Sequence, residues 1–222
     1  MPRDGGIHGG VRPRKSMLFV AGMLATLTGG LACGATPSQA FAVCAACHGL
    51  RGEGNPTTGA PALAGQSAAY VQRQLQNFAN GLRGTHKDDS YGAQMRAANQ
   101  GLLQDPKAIA AIASYVAGLP QTSTAKPAAY NAHNGNNLYQ GKCGACHGGR
   151  AEGNEALGAP RLAGLDAAYL RRQFHNFQRG VRGADTRDKH GRQMALMASA
   201  TITTERDLDD VIGYIQTAGA PR

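Results

Sequence analysis

Two short motifs hold the side chains of this chain with the clearest chemistry. Each has the form C-x-x-C-H, at 44–48 and 143–147, and together they use four of the five cysteines. Two thiols at this spacing can add to the vinyl groups of a porphyrin, and the adjoining histidine then lies under the iron. The motifs therefore predict two covalently bound haem c groups. The predicted attachment residues are Cys44, Cys47, Cys143 and Cys146, and the predicted proximal iron ligands are His48 and His147.

Three other uses of paired cysteines fit the chain less well. A thioredoxin-like redox pair needs a βαβ surround, and strand-like alternation is missing almost everywhere in this sequence. A zinc site would have to bring together pairs from distant parts of the chain, and it would leave the two histidines without a role. Structural disulfides suit exported proteins, but they give no reason for a histidine after each pair.

The second axial ligand of each iron is predicted to be a methionine. Met95 and Met194 each lie 47 residues after their motif histidine, and both stand in a G-x-Q-M segment. A lone methionine usually fills a core, but matched positions in matched segments favour iron ligation. Met197 and His190 remain rival ligands in the second half. A thioether opposite an imidazole raises the reduction potential, which suits electron transfer at high potential.

The chain is an internal repeat with an offset of 99 residues. Of the 74 positions from 44 to 117, 30 are identical to their partners without a gap, including G-A-P-A-L-A-G at 59–65 and G-A-P-R-L-A-G at 158–164. Such a repeat predicts two domains related by duplication. We place the first domain at 36–120 and the second at 130–222. The polar segment at 121–129, which contains a proline, is predicted to link them.

The elements that position the motifs are predicted to be helices. Apolar residues between 70 and 78 recur at the spacing of one helix face. Asp105 and Pro106 have the types favoured at the start of a second helix, and Thr204 occupies the corresponding place in the other half. A leader helix at about 131–142 precedes the second motif, whereas only a short helix opened by Thr36 and Pro37 precedes the first. The predicted fold class is all-α.

Residues 1–35 have the layout of a cleaved signal peptide. Three basic residues (Arg12, Arg14 and Lys15) precede an apolar run at 17–31, and small residues follow. The run is shorter than the roughly 20 residues of a membrane span, so a retained anchor is a weaker interpretation. Acylation of Cys33 is also weaker, because a glycine rather than an aliphatic residue stands three positions before it. The prediction is a periplasmic protein.

The basic composition does not indicate nucleic-acid binding. Residues 1–35 carry four basic groups and one acidic group, so their removal lowers the formal charge from +9 to +6. The four propionates of two haems would lower it further, to about +2. The chain also lacks a run of consecutive lysines and arginines interleaved with aromatic residues.

The whole pattern resembles the cytochrome c4 family, the two-haem members of the class I cytochromes c. The likeness covers nearly all of 36–222 and rests on the C-x-x-C-H pairs, P-x-L-A-G, Y-x-x-x-Q-[LF]-x-N-F-x-x-G-x-R-G and the methionine segment. The resemblance implies two tandem class I domains packed about a pseudo-twofold axis, with haem propionates facing each other across the domain boundary. It also implies a respiratory electron carrier, soluble or peripherally membrane-associated, with no substrate chemistry of its own.

The resemblance further implies roles for residues outside the motifs. The carbonyls of Pro61 and Pro160 would accept the free N–H of the proximal imidazoles, although an ordinary loop proline is the alternative. Contacts with the propionates or the domain boundary are implied for Tyr70, Tyr169, Arg83 and Arg182, and solvated arginines are the alternative there.

Redox proteins are the expected partners, namely a cytochrome bc1-type donor and a haem-copper oxidase acceptor. The alternative function is that of a two-haem subunit in a larger dehydrogenase, such as a flavocytochrome.

Overall fold

The computed structural model describes residues 36–98, 100–101, 104–121 and 127–218. The predicted signal peptide and positions 122–126 of the predicted linker lie outside the described residues. Four helices follow one another in the first half: α1 (Pro37–His48), α2 (Ala68–Ala79), α3 (Ser90–Ala98) and α4 (Pro106–Ala117). Five follow in the second half: α5 (Ala132–Lys142), α6 (Gly144–His147), α7 (Ala167–Gln178), α8 (Lys189–Thr201) and α9 (Glu205–Ala218).

The all-α prediction is confirmed. Within these described stretches, extended pairing is limited to two isolated bridges, Asn55 with Ala60 and Asn154 with Ala159, at equivalent places of the repeat. Each bridge closes the loop that follows a C-x-x-C-H motif and leads to the G-A-P segment.

Side-chain caps explain where several helices begin. Thr36 and Gln39 form a reciprocal capping box at the start of α1, and Pro37 occupies the first turn. The predicted helix opened by Thr36 and Pro37 is therefore present, and it continues through the first motif to His48. Asp105 accepts a hydrogen bond from the Lys107 amide to open α4, and Thr204 accepts one from the Asp207 amide at the start of α9.

Each half has its own small core, in which the helix that follows the G-A-P segment packs on the last helix of that half. The core of the first half contains Phe41, Val71, Leu75, Phe78, Ile109, Ile112, Ala113 and Val116. The core of the second half is built on Tyr139, Leu165, Leu170, Ile202, Leu208, Val211, Ile212 and Ile215. Ala62 of the first half packs into this second core, so the two halves are in direct contact.

Helices α5 and α9 are in close contact at Gly135. A methyl group on Gly135 would overlap the carbonyl oxygen of Asp210 in α9. We therefore expect Gly135→Ala to lower the free energy of unfolding of the holoprotein by about 1–3 kcal/mol, the usual cost of overpacking. The measurement is the midpoint of denaturant unfolding at an unchanged slope.

Gly141 provides the matched control on the same helix. A methyl group there meets nothing within 4 Å, and alanine is the better helix former by up to about 1 kcal/mol. Gly141→Ala should leave the stability unchanged or raise it. Equal destabilisation by both substitutions would show that helix propensity, rather than close packing, decides the result.

Candidate functional site

In the described part of the structure, each half contains a cavity that is lined by the residues that the motifs single out. The first cavity is lined by Cys44, Cys47, His48 and Met95. The second cavity is lined by Cys143, Cys146, His147 and Met194. Paired thiols, an imidazole and a thioether therefore surround one space in each half, with largely apolar walls between them.

Both motif histidines are buried and held by one hydrogen bond. His48 Nδ1 lies 2.8 Å from the carbonyl oxygen of Pro61, and His147 Nδ1 lies 2.9 Å from that of Pro160. Because a carbonyl can only accept, Nδ1 carries the proton and Nε2 keeps its lone pair. Burial lowers the pKa of both imidazoles, and the hydrogen bond to the proline carbonyl offsets only part of this effect. The neutral form, which binds metal ions, is thus favoured.

The methionine helices begin at buried aspartates that sequence reasoning missed. Asp89 accepts a hydrogen bond from the Gly92 amide at 3.0 Å, and Asp188 accepts one from the Gly191 amide at 2.9 Å. These contacts fix the first turns of α3 and α8. The glycine that donates in each contact lies three residues before the methionine of its G-x-Q-M segment. Both aspartates are identical between the repeats, which was the available signal.

Met197 shares the wall of the second cavity with Met194. Its side chain is 38% exposed, and its counterpart in the first half is Ala98, which lines the first cavity. Either methionine could therefore supply the second axial ligand of the iron. The matched position in the repeat remains the observation that favours Met194.

A reciprocal hydrogen-bond network joins the two halves. Gln74 Oε1 accepts from Arg83 and from Arg182, each at 2.8 Å. Gln173 Oε1 accepts from Arg182 at 2.7 Å and from Arg83 at 3.2 Å. Each glutamine is thus bound by one arginine of its own half and one of the other. We call these four residues the interdomain network.

Tyr70 and Tyr169 lie beside this network and line both cavities. Arg83 also reaches the Tyr169 hydroxyl, at 3.4 Å. Burial acts to raise the pKa of Tyr169, but Arg83, Arg182 and Arg172 outweigh it and bring the pKa below its ordinary value. Positive charge is therefore concentrated where the two halves meet.

Among the described residues, the arginines of the network have no carboxylate partner within 4 Å, and the charge of Asp188 acts on Arg182 from farther away. No Asp or Glu side chain described in the structure forms an ion pair with Arg83 or Arg182, although Arg182 is only 7% exposed. The Nε of Arg83 is buried and has no hydrogen-bond acceptor among the described residues. Buried charges are normally paired, so a carboxylate-bearing group is expected between the cavities, and haem c carries two carboxylates.

Comparison with known proteins agrees with these cavities. The family model described as cytochrome c matches residues 36–120 and again 132–219. Cytochrome c4 of Stutzerimonas stutzeri is 32% identical over 188 residues, which cover 79% of this chain and 84% of that relative.

The chain belongs to the cytochrome c4 family.

Two further similarities extend this assignment. The thiosulfate dehydrogenase electron acceptor of Thiomonas intermedia is 31% identical, covering 78% of this chain and 80% of that relative. The crystal structure of reduced recombinant cytochrome c4 from Pseudomonas stutzeri matches the fold with a TM-score of 0.64 at 28% identity, over 81% of this chain and 95% of that one. This cytochrome c4 family member is therefore an electron carrier with two covalently bound haem c groups, as the motifs predicted.

None of the helices in the described ranges is both long and apolar enough to cross a membrane.

Proposed function

We propose that this cytochrome is a periplasmic electron shuttle, which accepts electrons from a cytochrome bc1-type donor and delivers them to a haem-copper terminal oxidase. The observation that supports the proposal is the matched pair of cavities, each with a hydrogen-bonded imidazole and a thioether in its wall. If both axial positions of each iron are occupied by side chains, no coordination position is left for a substrate. The proposed chemistry is therefore outer-sphere electron transfer.

In this proposal, the iron ligands are His48 and Met95 in the first domain, and His147 and Met194 in the second. The covalent attachments are Cys44, Cys47, Cys143 and Cys146. We assign the first domain to 36–120, the linker to 121–129 and the second domain to 130–222, after cleavage of the signal at 1–35.

The residues of the chain have separable tasks in this function. When bound, the haem supplies a one-electron couple at the iron. Pro61 and Pro160 orient the imidazoles through their carbonyls, and the apolar walls keep water away from the metal. Arg83 and Arg182, with Tyr70 and Tyr169, would bind the propionates at the domain boundary. Tyr70, Tyr169 and the two glutamines of the interdomain network line both cavities, and this shared wall supports electron exchange between the haems within the molecule.

A second candidate function is favoured by one of the relatives. The relative from Thiomonas intermedia is named an electron acceptor of thiosulfate dehydrogenase, so a dedicated partnership with a dehydrogenase, as a bound subunit or as its acceptor, is the alternative to a free shuttle.

Purification from the periplasm distinguishes the two functions. A shuttle should elute free of other polypeptides, and its ferrous form should be reoxidised by membranes of the same cells in a reaction that cyanide blocks. Carbon monoxide should bind neither haem. Stoichiometric co-elution with a flavoprotein or other dehydrogenase subunit, with no cyanide-sensitive reoxidation, would support the alternative instead.

A further inference from the structure

The wall of each cavity is completed by side chains of the other domain. Arg172 of the second domain lines the first cavity, and Arg73 of the first domain lines the second cavity. Neither of these arginines lines the cavity of its own domain, in contrast to Arg83 and Arg182, each of which does. The two residues are repeat partners, so the exchange is reciprocal.

Both arginines bind the loop that holds the proximal histidine of the other domain. Arg73 Nη2 donates to the carbonyl oxygen of Gly158 at 2.5 Å, and Arg172 Nη2 donates to that of Gly59 at 2.7 Å. Each glycine begins a G-A-P segment, and the proline that ends the segment is Pro160 or Pro61. Each arginine thus binds a glycine that lies two positions before the proline whose carbonyl orients an imidazole in the opposite domain.

Each guanidinium has a buried donor without an acceptor among the described residues. The Nε atoms of Arg73 and Arg172 are buried, and neither has a hydrogen-bond acceptor in the portion of the chain that the structure describes. Stacking fixes their positions, because Arg172 lies 3.9 Å from the ring centroid of Tyr91 and Arg73 lies 5.4 Å from that of Tyr70. Because the Nε atoms are covered by protein, the charge of each guanidinium is what these arginines present to the cavities that they line.

We propose that Arg73 and Arg172 are crossed positioning residues, so that Arg73 tunes the haem of the second domain and Arg172 tunes the haem of the first. Each would place a positive charge beside the haem of the opposite domain, which its own domain does not carry. A nearby cation favours the addition of an electron, so each arginine raises the potential of the haem across the boundary. This inference rests on the proposed haem sites and goes beyond the resemblance, which among the arginines implied such contacts for Arg83 and Arg182.

The test is the potential of each haem in the holoprotein. Arg73→Met and Arg172→Met remove the charge and the donors while they keep an unbranched side chain. Titration followed by proton NMR reports both potentials separately, once the haem methyl signals are assigned by their contacts with residues of one domain. Arg73→Met should lower the potential of the second haem more than that of the first, and Arg172→Met should do the reverse.

Arg171 is the matched control for the loss of one charge. It precedes Arg172 in α7 and pairs with Asp209 on the surface, and it lines neither cavity. Arg171→Met should change both potentials little and equally. Arg73→Lys and Arg172→Lys keep the charge, so the haem potentials in these variants should stay close to those of the unsubstituted protein.

Several results would overturn the proposal. Equal shifts at both haems, or larger shifts at the haem of the arginine's own domain, would exclude crossed tuning. Failure of the lysine variants to recover the potential would exclude the charge as its cause. The ferric protein is expected to show a weak near-infrared absorption from the sulfur-to-iron bonds, and this absorption must persist in every variant. Its loss would show that the arginine maintains the structure of the cavity and does not act on the haem through its charge. The methionine variants described below test the haem sites separately.

Discussion

Met194→Ala should remove about half of the weak near-infrared sulfur-to-iron absorption of the ferric protein. It should also lower the potential of one haem by on the order of 100 mV, a fraction of the ~0.8 V over which axial ligands vary the couple. The physical reason is that the polarizable thioether stabilises ferrous iron, and alanine offers no replacement ligand. Near-infrared absorption and a redox titration of the purified holoprotein measure the two effects.

Met197→Ala is the control for this experiment. Met197 lines the same cavity but is 38% exposed, and the first domain has Ala98 in its place. The substitution should leave the band and both potentials unchanged, and Met95→Ala should reproduce the loss in the other haem. If Met197→Ala abolishes half of the band while Met194→Ala leaves it whole, the matched position in the repeat has indicated the wrong ligand.

Gln74→Leu should lower the free energy of unfolding of the holoprotein by about 3 kcal/mol or more. The Gln74 carbonyl oxygen binds two arginines, one from each domain, and hydrogen bonds to charged groups contribute roughly 1.5–3 kcal/mol each. Leucine fills the space but leaves the buried Arg182 and the half-buried Arg83 with fewer acceptors. The measurement is denaturant unfolding followed by the Soret absorption.

Two further substitutions make this expectation specific. Gln173→Leu, the repeat partner, should cost a similar amount, because Gln173 accepts from the same two arginines. Gln76→Leu replaces a half-buried glutamine of the same helix that makes no side-chain hydrogen bond with the described residues, and it should change stability by about 0.5 kcal/mol or less. Equal losses at Gln74 and Gln76 would contradict the importance of the interdomain network.

The sequence predicted the parts of the site that depend on local spacing. Two cysteines and a histidine within five residues are kept close together by the chain itself, so the motifs alone predicted which residues share a cavity wall. The repeat then selected Met95 and Met194 among six methionines. The helix starts at Thr36, Asp105 and Thr204 were predictable for the same reason, since a cap is a contact between neighbours.

The contacts between the domains were not predictable in this way. Gln74 and Arg182 are 108 positions apart, and no local pattern indicates which arginine binds which glutamine. The identity of Arg73 with Arg172 was visible in the repeat, but their placement in each other's domains depends on how two finished domains pack. Asp89 and Asp188 were likewise visible as repeat partners, although nothing in the sequence indicated that both are buried beneath a helix start.

The exchanged walls have a consequence for the order in which this protein matures. Because the opposite domain supplies part of each cavity wall, we expect both haem attachments to precede docking of the domains. A chain that has acquired one haem would have to bury several arginines without the carboxylates of the second, and their mutual repulsion would hold the domains apart. Only the molecule with both haems would then dock its domains and resist proteolysis.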